Sequence, residues 1–97
     1  MTDRRLIGKR VVEVVPEREL VLEYFMLQNF DEESQTVSYG AQIRKTEGKE
    51  QELETVEGIT QSEEVIEDII SLLMKHSVTP ISMVNIIDDY ITEKVCS

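Results

Sequence analysis

Few residues in this chain are of the types and spacings that carry chemistry. His76 is the single histidine, so any site that needs two is excluded. Its titration range suits proton transfer or a metal bond. Helical projection puts it on the apolar side of a helix, where a lone histidine is most often packed and hydrogen-bonded. Glu63/Glu67 and Glu64/Asp68 are carboxylate pairs one helical turn apart. Such pairs can hold a hard cation, but no Asp-x-Asp-x-Asp-Gly loop accompanies them, and a solvated acidic face explains the pattern. Asp88-Asp89 falls inside a helical stretch, where Asp is a poor helix former. Asp88 is expected to touch the turn or the sheet and Asp89 to point outward. No Ser, Cys or Lys stands at a recognisable spacing from a base. There is also no phosphate-cradling glycine loop, no zinc spacing and no aromatic-basic stripe for single-stranded nucleic acid. The sequence therefore assigns no catalytic, cofactor-binding or metal residue.

Two helices must carry these groups. Thr60 with Glu63 three residues on matches a capping box, with Ser62 as a rival cap. From there to His76, Val65, Ile66, Ile69, Leu72 and Leu73 recur at helical spacing as one apolar stripe. Glu63, Glu64, Glu67 and Asp68 come early and Lys75 and His76 late, which suits the helix dipole. Thr79-Pro80 then predicts a cap followed by proline at the first helical position. The second helix is expected to run to about Lys94. Val84, Ile87 and Ile91 form its core stripe, and Met83, Ile86 and Tyr90 form a second stripe beside it. That arc is wider than one sheet contact requires.

The first half reads as strands. Arg10 to Val15 is a β-branched run closed by Pro16, in keeping with an edge strand. Glu19 to Phe30 alternates: Leu20, Leu22, Tyr24, Met26 and Phe30 point one way, with Gln28 the exception. Glu19, Val21, Glu23, Phe25, Leu27 and Asn29 point the other, so the second face also holds large apolar groups. A sheet covered on one side is normally polar on its other. Asp31 to Gln35 is a connection of hairpin length. Thr36 to Lys45 returns with Val37, Tyr39, Ala41 and Ile43 on one face. Gly40 inside it marks a bulge, a close backbone approach or a place where a small residue packs. Glu52 to Glu57 is a weaker strand of edge type, and Gly58 is expected to end the β region. The economical architecture is α+β: an antiparallel meander of three or four strands followed by two C-terminal helices packed on one face.

Ninety-seven residues make one domain, and a chain of that size buries roughly 60–65 % of its unfolded surface. Residues 1–9 form a basic N-terminal segment, flexible or ordered, ahead of the meander (10–57) and the helices (60–94). Twenty Asp and Glu against ten Lys and Arg give a net charge of −10. Residues 1–18 hold five basic and three acidic residues, whereas 19–97 hold five basic and seventeen acidic. Such a body is repelled by phosphate backbones and anionic lipid, which argues against nucleic-acid and membrane partners. A basic partner protein would be attracted. Cys96 is the only cysteine; it forms no internal disulfide and reads as an inert or frayed thiol of a reducing compartment. No apolar run reaches signal-peptide or bilayer length, so a cytoplasmic location is expected.

Tyr39-Gly40, Ile43, Ile59-Thr60, Leu72-Leu73 and the run Val78-Thr79-Pro80 through Ile86-Ile87-Asp88-Asp89-Tyr90-Ile91 resemble a known group of chains. It is a family of short uncharacterised proteins, a domain of unknown function, from clostridial-type Gram-positive bacteria. The resemblance covers about Leu20 to Ile91. Where the family pattern tends to have His-Leu-Arg-Asp, this chain has Ser82-Met83-Val84-Asn85, which removes groups that would suggest a site. The resemblance implies a cytoplasmic bacterial protein with no assigned activity.

Three functional readings follow. The first is a small non-catalytic interaction or regulatory module that self-associates as a homo-oligomer, with Val21, Phe25, Leu27, Met83, Ile86 and Tyr90 as its candidate interface. The second is an acidic decoy that mimics nucleic acid toward a basic protein. The third is a weak cation-binding protein or enzyme using Asp88, Asp89 and His76.

Overall fold

The computed structural model describes residues 2–16 and 18–96, with side chains through Glu93. Four antiparallel strands come first: β1 (Thr2–Val15), β2 (Arg18–Asp31), β3 (Thr36–Glu47) and β4 (Glu50–Thr60). Their order in the sheet is β1-β2-β3-β4, so β1 and β4 are its edges. Helices α1 (Glu63–Lys75) and α2 (Pro80–Cys96) follow. Both pack on the face that carries Leu22, Tyr24, Met26, Ala41 and Ile43. Cys96 and Lys94 lie outside the described side chains.

The core is assembled by alternation on the strands and 3.6-residue periodicity on the helices. Ile66, Ile69, Ile70 and Leu73 of α1, with Met83 and Ile87 of α2, close over the strand residues. Full burial of each such side chain stabilises the fold by roughly 1.5–3 kcal/mol. The molecule measures 50 × 33 × 17 Å. Its short dimension accommodates one sheet and one helix layer, which leaves the other sheet face without a helix.

β1 begins at Thr2, eight residues before the β-branched run that announces it. The 14-residue β2 supplies a partner along this whole length, from Thr2↔Asn29 to Val15↔Arg18. A register shift between Leu6 and Gly8 breaks the period of two and hides the first half of the strand. Residues 1–9, read as flexible or ordered, thus belong to the sheet from Thr2 onward. β4 likewise outruns its expected span. Gly58, at φ +62°, does not end the strand, which continues to Thr60 opposite Tyr39. Gly40 lies at the matching register shift in β3, where a Cβ would collide with the Val56 carbonyl oxygen and approach the Glu57 Cα to 2.9 Å. Here glycine serves a close backbone approach.

The helix hairpin is locally well specified. Ser62, not Thr60, caps α1, its hydroxyl accepting from the Val65 N–H at 3.3 Å. Thr60 Oγ1 instead accepts from the Ser62 N–H at 3.1 Å. At the other end Ser77 takes the left-handed conformation, φ 48°. The Ser77 N–H donates to the Met74 carbonyl at 3.1 Å and the Val78 N–H to the Leu73 carbonyl at 2.9 Å, which completes a Schellman motif. Buried Val78 and Leu73 both join the core, as that motif's apolar contact requires. Pro80 then opens α2.

Candidate interaction surface

The groups that could do chemistry are dispersed. His76 is exposed at the C-cap of α1 rather than packed on its apolar side. Helical projection fails there because the chain leaves the helix at Ser77. Asp88 and Asp89 are both exposed, so Asp88 does not bury against the turn or the sheet. Glu63, Glu64, Glu67 and Asp68 are also exposed. Among the described residues no group of three or more His, Cys, Asp or Glu could hold a metal ion.

A groove of about 470 Å³ lies where the end of β4 meets both helices. Ile59, Val65, Tyr90 and Ile91 line it with Glu64 and Asp68. Tyr24 is the one buried ionisable group, among the described residues, that the core displaces strongly. Its hydroxyl donates to the Val78 carbonyl at 2.9 Å, which ties the helix hairpin to the sheet. Burial pushes its pKa up from 10.0 to about 12, and the nearby positive charge of Arg10 partly opposes this.

The helix-free face is the unusual feature. Val21, Phe25 and Leu27 project onto it, as alternation along β2 requires. Phe25 and Leu27 are each only 5 % exposed although neither belongs to the core under the helices. The Arg4 guanidinium lies 4.4 Å from the Phe25 ring centroid and the Arg44 guanidinium 5.6 Å away. Each such contact contributes on the order of 0.5–2 kcal/mol. A polar network fixes both arginines. Arg4 Nη1 donates to Gln42 Oε1 at 3.0 Å, and Gln42 Nε2 donates to Thr55 Oγ1 at 2.9 Å. Arg44 pairs with Glu23 at 2.7 Å. Every buried side-chain polar atom among the described residues is satisfied.

Around this sealed centre the face turns apolar and open. Leu6 faces Phe25 in register, Val11 faces Val21, and Leu53 lies beside Arg44. Leu6, Val11 and Leu53 are half exposed or more. Ile7, Val14 and Val15 of β1 are exposed as well. Most of the large apolar side chains left in solvent therefore belong to one edge strand.

The six expected interface residues do not form one surface. Val21 is half-buried on the helix-free face, and Phe25 and Leu27 are sealed beside it. Met83 is fully buried in the core, so it is removed from any interface. Ile86 and Tyr90 are half-buried in the helix layer, on the opposite side of the sheet. Sequence reasoning missed Leu6, Val11 and Leu53 as surface residues. For Val11 the available signal was the Val11-Val12-Glu13-Val14-Val15 run, already readable as an edge strand.

The chain belongs to the family of unknown function DUF6514, whose pattern it matches over residues 3–93. No curated protein and no solved structure matches it. Among the described residues no helix is long and apolar enough to cross a membrane.

Proposed function

We propose that this protein is a non-catalytic protein–protein interaction module that self-associates, and that β1 with the helix-free face beside it is the contact surface. One observation carries the reading: the exposed large apolar side chains concentrate on β1, where Leu6, Ile7, Val11, Val14 and Val15 all meet solvent. An edge strand also presents unpaired N–H and C=O groups, a template for pairing with another chain. The register shifts at Leu6/Gly8 and Glu13/Val15 shorten the regular edge without removing it. A cytoplasmic location in a Gram-positive bacterium belongs to the same reading, supported by the lone cysteine and by the C-terminal motif from Val78 to Ile91.

Gel filtration with in-line light scattering tests it. At micromolar concentrations the mass should exceed the 11.2 kDa of one chain. A Leu6→Glu variant, altered at a half-exposed side chain, should return toward the monomer. A wild-type protein that stays monomeric contradicts the reading.

A further inference from the structure

The two free edges of the sheet carry opposite charge. β1 holds Arg4, Arg5, Lys9 and Arg10 against Asp3 and Glu13, a balance of +2. β4 holds Glu50, Glu52, Glu54 and Glu57 with no basic residue, a balance of −4. An edge can extend a sheet in three ways: β1 on β1, β4 on β4, or β1 on β4. The first two bring together strands of like net charge, +2 on +2 or −4 on −4, so the edges repel each other. Only the third brings a basic strand against an acidic one.

We infer that β1 of one copy adds to β4 of the next, continuing the antiparallel meander from chain to chain. This rests on the self-association proposed above and names the surface that covers β1. The regular stretches are close in length, six residues and seven. On β1 the pairing with β2 is uninterrupted from Gly8 to Glu13, and on β4 the pairing with β3 is uninterrupted from Glu50 to Val56. β1 and β4 run in opposite directions within the meander, so the added strand meets its neighbour antiparallel.

Side-chain direction selects a register. Val11 and Leu53 both lie on the helix-free face and are 53 % and 56 % exposed. Setting them opposite each other covers both. The same alignment puts Arg10 opposite Glu54 on the helix-bearing face and Lys9 opposite Thr55 on the other. Glu13 then meets Gln51 and Val12 meets Glu52, so no like-charge pair arises. A slip by one residue would turn every apolar group to the wrong face. Both helix layers fall on the same side of the extended sheet. The contact joins different surfaces of the two copies, so association continues beyond a dimer unless a ring closes.

A charge exchange at the central pair tests this. Val11→Glu sets a carboxylate against the acidic β4 edge, and Leu53→Lys sets an ammonium against the basic β1 edge. Both replace side chains already more than half in solvent, and circular dichroism verifies that each variant keeps the fold. By light scattering, the wild-type mass should rise past that of a dimer as concentration increases. Each variant alone should remain at 11.2 kDa. Association should return in the equimolar mixture, where the introduced carboxylate of one variant meets the introduced ammonium of the other. It should also return in a chain carrying both changes. A wild type that stops at a dimer, a single variant that assembles like wild type, or a mixture that stays monomeric would each overturn the edge-to-edge contact. The dimer result would leave the self-association reading standing; a monomeric wild type would remove both.

Discussion

Tyr24 shows how one residue links the two layers. Its ring is buried on β2 while its hydroxyl holds the Val78 carbonyl at the turn between the helices. The raised pKa carries a definite sign. The folded state keeps the Tyr24 proton to about pH 12, whereas the unfolded chain releases it near 10.0. Stability from this group is therefore complete below about pH 10 and falls as pH rises through 12, by on the order of 2–3 kcal/mol in all. Urea unfolding at a series of alkaline pH values should show the decline, and a Tyr24→Phe protein should lack that component. The phenylalanine variant should also lose about 1–3 kcal/mol near neutrality, because Val78 is left with a buried, unpaired carbonyl. Alternation on β2 sets the inward direction of Tyr24. Its hydrogen-bond partner lies 54 residues away and is not legible locally. The placement of Met83 is obscured differently. Its stripe on α2 lies beside that of Val84, and periodicity alone does not say which of two adjacent stripes meets the sheet. The docking of Val78 and the start of the helix at Pro80 set the rotation that buries Met83 and leaves Val84 exposed.

At the scale of elements, the central strands and both helices follow from period and caps, and the sheet edges do not. β2 and β3 bury one face from Leu22 to Met26 and from Tyr39 to Ile43, so their alternation is plain there. β1 and β4 each contain a discontinuity, near Leu6 to Gly8 and at Gly58, that shifts the phase of the pattern midway. A strand reading halts there although pairing with the neighbouring strand continues. Gly40 admits three readings from sequence, and the backbone of β4 decides for the close approach. The turn between the helices holds an identifiable inefficiency, since Ser77 occupies a left-handed position that glycine adopts without steric cost. Ser77→Gly should raise the stability of the whole protein by roughly 0.5–1 kcal/mol, read as a higher urea midpoint with an unchanged slope. A lower midpoint would show that the Ser77 side chain makes a contribution larger than the backbone relief.

For the whole molecule, a net charge of −10 conceals an uneven distribution. The basic residues of the N-terminal segment are evident in the sequence. Their collection along one sheet edge, with an acidic strand along the other, requires the strand order. The apolar surplus is also evident, but its location is not: Phe25 and Leu27 are sealed, with Arg4 and Arg44 over the Phe25 ring, and the burden of exposure passes to β1. The central claim is that β1 is a contact surface between molecules. Amide hydrogen exchange over a dilution series measures this most directly. The outward amides of Gly8–Glu13 should be protected at high concentration and lose that protection on dilution, while the inner strands β2 and β3 exchange slowly throughout. Exchange along β1 that is fast at every concentration, or slow at every concentration, would contradict the account.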